Sequence, residues 1–493
     1  MKHIVLFFVL SFATATPALA AEKVFRAGAF AQDITPALGV SLNGGMADRK
    51  ATAVYDPLHA RAIVLDDGTT KLAIVVCDAC MIPRDIFDAA KAIASEKTGI
   101  PISNMCISAT HTHSAPTSTG VFQSDPDETY RKLLTERIAL AVEKAHANLE
   151  PAKVGWAVGS DPMQVFNRRW LAKEGTLLPD PFGNARDKVK MNPGLGNPSV
   201  GQSIGIIDPD VSLLSVQATD GRPIALLANY SLHYVGGQPG DQVSGDYFAQ
   251  FAKRVGELIE EGQGQRAKGQ GTESNPPSAI RNPQSFLAIM SNGTSGDINN
   301  VDFSQRIRPA RKPGEQIVIV AESVAQAAYK AYTKIAYHDW IPLKVAEKEI
   351  ELGVRKPTDE DVTQAKQWLE EAKAQGPVLK SLTHIYARET VLLAEYPEKV
   401  KAKIQAMRIG ELGICAIPCE TFVEIGLSIK KHSPLKPTFT ISLANGYNGY
   451  LPTPRQHELG GYETWRARSS YLEVKASEKI EKTLMELLKV VNE

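Results

Sequence analysis

Two kinds of apolar spacing alternate along the chain. Residues 59–65 and 70–77 are β-rich runs joined by Asp66-Asp67-Gly68, a hairpin-turn composition. Residues 84–97 follow Pro83 with helical spacing, and 104–109 predict another strand. Residues 127–148 predict a long amphipathic helix, with Leu133, Ile138, Leu140 and Val142 on or near its apolar side. Strands are predicted at 153–158, 211–217 and 224–230, and Asp246 can cap a helix to about Glu260. Residues 262–284, rich in Gly, Gln, Ser, Asn and Pro, read as a mobile surface loop. A strand at 286–290 and helices at 315–332 and 359–373 follow. The last third predicts a strand at 404–417, a helix at 421–431, a strand at 438–444 and a helix at 477–491. This is the pattern of an α/β protein, with a mixed β-sheet core flanked by helices. It is read as one large catalytic domain, residues 21–493, with a possible helical insertion at 343–401.

Composition narrows the class. Hydrophobic residues make up 43% and charged residues 22%, which suits a packed core. The formal net charge of +0 lacks the basic excess of a nucleic-acid binder. Met1-Lys2-His3, an apolar run to about Ala15 and Ala18-Leu19-Ala20 form a signal-peptide pattern, residues 1–20. That run is too short to span a bilayer, and no second candidate follows. The expected location is the periplasm or the exterior. The five cysteines are too sparse for a disulfide scaffold. Cys77-Asp78-Ala79-Cys80 admits a redox role, but the apolar strand running into it favours buried thiols or an incidental disulfide.

Candidate chemistry gathers at predicted strand ends, where α/β folds place reactive groups. In His111-Thr112-His113, an extended backbone would turn both imidazoles to one face, as metal ligands or bases. Two surface or capping histidines would look the same. His233 follows an apolar strand and is either structural or a ligand. Asn292-Gly293-Thr294-Ser295-Gly296-Asp297 is a polar turn able to present N–H groups and a carboxylate. Glu420, in Pro418-Cys419-Glu420, can bind metal or favour a helix N-terminus. A loop with Tyr447, Tyr450 and Tyr462 is a binding surface or a ring-anchored turn.

Together these segments resemble the neutral ceramidases, secreted zinc amidases that cut the N-acyl bond of ceramide. The resemblance runs from Gly28 to about Glu463. It rests on Asp33-Ile34-Thr35-Pro36, Ala109-Thr110-His111-Thr112-His113-Ser114-Ala115-Pro116, Asn167-Arg168, the segment ending at His233, and Pro418-Cys419-Glu420. It implies zinc held by His111, His233, Glu420 and Tyr450, with His113 and Arg168 lining the reaction centre and Tyr462 facing the oxyanion. Zinc-bound water would attack the acyl carbon, and His113 would pass a proton to the leaving amine. The sequence departs from the family at Asn299, where those enzymes carry a Ser. It also ends about one helix after Tyr462, without their C-terminal immunoglobulin-like domain, and shows no apolar segment suited to drawing a lipid from a membrane. The expected activity is zinc-dependent hydrolysis of an N-acyl (amide) bond in a small molecule at a ceramidase-like site, with these departures arguing against ceramide itself. The alternatives are a zinc esterase or deacetylase on a carbohydrate or other polar O-acyl substrate, and a catalytically inactive metal-binding protein.

Overall fold

The computed structural model describes residues 23–269 and 286–493. The predicted leader, residues 1–20, and positions 270–284 of the predicted polar loop lie outside the described residues. The main sheet contains Arg26–Asp33 (β1), His59–Asp66 (β2), Lys71–Cys77 (β3), Met105–Ala109 (β4), Glu150–Ser160 (β5), Asp210–Ala218 (β6), Pro223–Tyr230 (β7) and Leu287–Asn292 (β8). Its order is β8-β7-β6-β5-β1-β2-β3-β4. The two outer pairs, β3/β4 and β7/β8, are parallel, and the inner pairs are antiparallel. The second sheet contains Leu343–Gly353 (β9), Lys399–Ile409 (β10), Leu412–Ala416 (β11) and Thr438–Ile441 (β12), in chain order.

Alternation along the strands makes four layers. In β2, Ala60, Ala62 and Val64 face a core with the helices Arg84–Thr98 (α1) and Glu128–Ala147 (α2). Ile63 and Leu65 of the same strand face Met407, Ile409, Ile414 and Phe439 of the second sheet. With both faces covered, the strand reads as a continuous apolar run. Asp246–Gly269 (α3) and Glu315–Tyr332 (α4) cover the β6–β8 end. The helices Asp359–Lys373 (α5) and Leu382–Ala394 (α6) connect β9 to β10, whereas Val423–His432 (α7) and Ala476–Asn492 (α8) cover the outer face of the second sheet. Local signals set these helices. Asp127 caps α2 by accepting from Tyr130 N at 2.7 Å, and Tyr130, Leu134, Ile138 and Val142 bury one face.

Three sequence expectations change. The predicted strand 404–417 is a hairpin, β10 and β11, turning at Gly410 with φ 62°. Residues 343–401 are not wholly helical, because they begin in β9 and end in β10. β9 alternates charge as an edge strand does, with Glu351 paired to Lys399 and Glu349 to Lys401 across the ladder. The helix α3 passes through Gly262 as far as Gly269. Gly262 belongs there because a Cβ would collide with the Tyr329 hydroxyl on α4.

The second sheet also joins the two outer ends of the first. After β12, Ser442 N donates to Asn292 O, at the end of β8, at 3.0 Å. One and three residues on, Ala109 N donates to Leu443 O at 3.2 Å and Asn445 N to Ile107 O at 2.8 Å. The ends of β4 and β8 are thus stitched through one short segment, in which Leu443 and Asn445 take left-handed φ.

Candidate metal centre

His111 lies two residues past β4. The backbone there is not extended: His111 has φ 74°, a conformation that usually costs a non-glycine residue ~1–3 kcal/mol. Its N–H is held by Ala79 O at 2.8 Å, and its Nδ1 lies 2.8 Å from Cys80 O. The two imidazoles of the pair still meet, with His113 Nε2 3.2 Å from His111 Nε2. They meet through this turn rather than through strand alternation. His113 stacks on Tyr234 with ring centroids 3.6 Å apart, and Gly44 leaves room where a Cβ would strike its ring.

His233 lies three residues past β7. Its Nδ1 is 3.0 Å from Ser295 O, in the polar turn after β8. That turn also supports Glu420: Gly296 N donates to Thr421 O at 2.8 Å, and a Cβ on Gly296 would collide with Glu420 O. Glu420–Thr421 pairs in parallel with Tyr450–Leu451, which sets Glu420 beside Tyr450.

These elements converge on one point. His111 Nε2 lies 3.0 Å from His233 Nε2 and 3.1 Å from Glu420 Oε2, and His233 Nε2 lies 3.9 Å from the same oxygen. The three residues form a buried group able to hold a metal ion. Each Nδ1 faces a carbonyl and so carries a proton, which leaves each Nε2 as the atom a metal would take. Glu420 Oε2 is buried with no hydrogen-bond partner, although His111 Nε2 lies 3.1 Å away. Converging acceptors with an orphaned carboxylate oxygen are what a cation would satisfy. Donors ~2.0–2.2 Å from a tetrahedral zinc lie roughly 3.3 Å apart, close to the spacings here. The imidazole and carboxylate donors also suit that ion.

The electrostatics agree. Burial works against a charged His111, but Glu420 and Cys80 outweigh it and hold the imidazole well above its ordinary pKa. Burial likewise favours a neutral Glu420, but His111 and the Tyr450 hydroxyl hold the carboxyl below its ordinary value. Without metal, a proton on His111 supplies the positive charge. Burial, then His111 and Arg168, push His113 and His233 well below the usual histidine range.

The other expected residues surround this group. Arg168 Nη2 donates to the Tyr450 hydroxyl at 3.1 Å and to Gly296 O at 2.7 Å. Glu463 pairs with Arg168 at 3.0 Å and with Arg169 at 2.6 Å, all three buried. Tyr462 packs edge-on against Tyr450 with centroids 5.8 Å apart. Tyr450 and Tyr462 join His111, His113 and Glu420 in the wall of a pit of about 30 Å³. Tyr447, in the same aromatic loop, donates its hydroxyl to Glu420 Oε1 at 3.2 Å, a contact its sequence position does not reveal. Glu463 and the carbonyls of Cys80 and Ser295 carried no sequence signal of their roles.

Several candidates fall outside the group. Asn299 turns to Asn192 at 2.5 Å and does not line the pit. Asp297 accepts from Val423 N and from Asn167, both at 2.8 Å, and so holds the start of α7. Asp246 accepts from Val235 N at 3.0 Å and Gly236 N at 2.8 Å, fixing the loop after His233. All five cysteines are buried and free. Cys80 could group with His111 and His113, but His111 Nδ1 is 3.8 Å from its sulfur and already faces the Cys80 carbonyl. A larger cavity of about 550 Å³ lies beyond residues 460–466 and is lined by none of the three ligand candidates.

The chain has the fold of the neutral ceramidases. The neutral ceramidase of Pseudomonas aeruginosa superposes with a TM-score of 0.68 at 16% identity, over 95% of this chain and 74% of that one. A ceramidase complexed with C2 gives 0.68 at 15% identity, over 96% and 76%. No family model and no curated protein matches the sequence. Among the described residues, no helix is long and apolar enough to cross a membrane.

Proposed function

We propose that this protein is a zinc-dependent hydrolase of N-acyl bonds. The observation that carries the reading is the convergence of His111 Nε2, His233 Nε2 and an orphaned Glu420 oxygen on one buried point. The ceramidase fold supports an amide as the bond cleaved. His111, His233 and Glu420 would hold the ion, with Tyr450 beside Glu420 as the fourth candidate. A zinc ion there would act as a Lewis acid toward an acyl carbonyl and toward water.

The remaining chemistry belongs to the chain's own residues. His113, kept neutral and directed at the same point, can take a proton as the nucleophile adds and return it to the departing amine. Burial and then Glu420 hold the Tyr462 phenol above its ordinary pKa, so it stays protonated and can donate to an oxyanion in the pit. Arg168, fixed by Glu463 and Gly296 O, orients the Tyr450 hydroxyl. The same donors would serve an oxygen ester. Residues 1–20 support export to the periplasm or beyond, and residues 21–493 form one catalytic domain in this reading.

The test is metal analysis of the purified chain, with turnover of N-acyl anilides before and after chelation. The reading expects about one zinc per chain, activity lost on chelation and restored by zinc, and both lost in His111→Ala. Turnover that survives metal removal would sink it.

A further inference from the structure

Building on the hydrolase reading, we infer that Tyr234 is a positioning residue, which orients His113 toward the candidate ligand point by stacking rather than by a hydrogen bond at Nδ1. The three histidines there are held in different ways. His111 and His233 each turn Nδ1 to a backbone carbonyl, Cys80 O at 2.8 Å and Ser295 O at 3.0 Å. His113 has no such partner. The Gly44 main chain lies near its Nδ1, but that nitrogen is buried without a hydrogen bond. The main chain of His113 is fixed, because Arg49 Nη2 donates to His113 O at 2.8 Å and to Asn43 O at 3.1 Å. That grip sets where the side chain starts and leaves its ring free to turn. Packing is what confines the ring. Tyr234 stacks on it with centroids 3.6 Å apart and planes 16° apart. Gly44 presses on it as well, since a Cβ there would strike its Cγ. So held, His113 Nε2 stands 3.2 Å from His111 Nε2.

Tyr234 is itself firmly mounted. It directly follows His233, so one stretch of chain after β7 supplies both a ligand candidate and the platform for His113. On one side of it, Leu232 O accepts from the Tyr247 hydroxyl at 3.0 Å. On the other, the Asp246 carboxylate accepts from Val235 N at 3.0 Å and from Gly236 N at 2.8 Å. Asp246 and Tyr247 open α3, so that helix anchors both flanks. Gly236 takes φ 68°, and a Cβ there would meet the Tyr234 ring at 3.2 Å. Among the described residues nothing hydrogen-bonds to the Tyr234 hydroxyl, so the ring face is what this residue brings to the site. A proton-transfer group must come within ~2.6–3.2 Å of the atom it serves, which makes the plane of the imidazole decisive.

The experiment compares Tyr234→Leu with Tyr234→Phe in the zinc-loaded full chain. It reads turnover of an N-acyl anilide and a matched nitrophenyl ester, and NMR of histidines labelled with carbon-13. The ring C–H signals of His113, identified by their loss in His113→Gln, should lie upfield because the Tyr234 ring current shields them. Tyr234→Leu should remove that shift and lower kcat on the anilide ~10–100-fold, since a misplacement of about 1 Å can cost ~10²-fold. KM and zinc content should stay native, and the ester, whose leaving group departs without a proton, should lose far less. Tyr234→Phe keeps the ring and should restore both the shift and the anilide rate. Tyr234→Met serves the same comparison if the leucine variant fails to fold. A native His113 signal without the upfield shift overturns the inference. So does a folded leucine or methionine variant with the native anilide-to-ester ratio, or a phenylalanine variant as slow as either. If the native chain cleaves neither substrate, the hydrolase reading fails, and the shift alone decides whether Tyr234 orients His113.

Discussion

At the residue scale, the site depends on a few groups whose neighbours define their state. His113 is half-buried, is held well below the usual histidine range by burial of its ring atoms and by His111, and meets the ligand point without a hydrogen bond on its Nδ1. If it protonates the leaving group, His113→Gln should lower turnover of an anilide by ~10²–10⁴-fold and of a matched nitrophenyl ester far less. An ester's leaving group departs without a proton, so equal losses on both substrates would remove His113 from that role. Glu463 acts one step further out, lying between Arg168 and Arg169 with no exposure of its own. Removing one partner of a buried pair typically costs ~3–5 kcal/mol, and here it would strand two guanidinium groups. Glu463→Gln should therefore lower the urea midpoint strongly and disturb Arg168, the donor to Tyr450. A variant with native stability would show that backbone carbonyls suffice to hold both arginines.

At the element scale, the short helix Pro454–Leu459 carries a pH-sensitive group away from the candidate metal site. Burial, then Arg355 and Arg169, lower His457 to about 3. In the unfolded chain a histidine titrates near 6.5. As pH falls through that window, the unfolded state takes up the proton first, so stability is full above about 6.5 and is lost toward 3. His457→Gln should reduce the loss of unfolding free energy between about pH 7.5 and about pH 4.5, measured by urea titration. An identical pH slope in the variant would mean that other groups carry the acid sensitivity. The elements also show what a sequence can reveal. The helices α4 and α5 were legible to the residue, because helical spacing and clean ends agree. β9 was not, because an edge strand written in Glu and Lys lacks the apolar alternation of a half-buried one. The motif at His111 and His113 was legible as chemistry, yet its left-handed turn was not, because His111 is held there by Ala79 and Cys80 rather than by its neighbours in sequence. Tyr447 was visible only as one ring in a glycine-rich loop, since its tie to Glu420 is a tertiary contact.

At the scale of the whole molecule, the candidate ligands join regions that the chain keeps far apart. His111 and His233 are 122 residues apart and follow strands from opposite halves of the main sheet, while Glu420 comes from beside the second sheet. The segment after β12 already stitches those ends through the backbone. A metal at the convergence point would be a second tie across the same junction, and the unfolded chain offers no comparable site. Linkage then fixes the magnitude: zinc at 100 times its dissociation constant stabilises the folded state by about 2.7 kcal/mol. Each kcal/mol raises the melting temperature roughly 2–4 °C in domains of 150–250 residues and less in longer chains. A scan with and without zinc should therefore show a rise of about 3–6 °C. Glu420→Gln, which keeps the shape but removes the charge that His111 pairs with, should melt below the native chain without zinc and lose most of the rise with it. If zinc raises both proteins equally, the ion is binding elsewhere, and the convergence of His111, His233 and Glu420 is a structural junction instead of a metal centre.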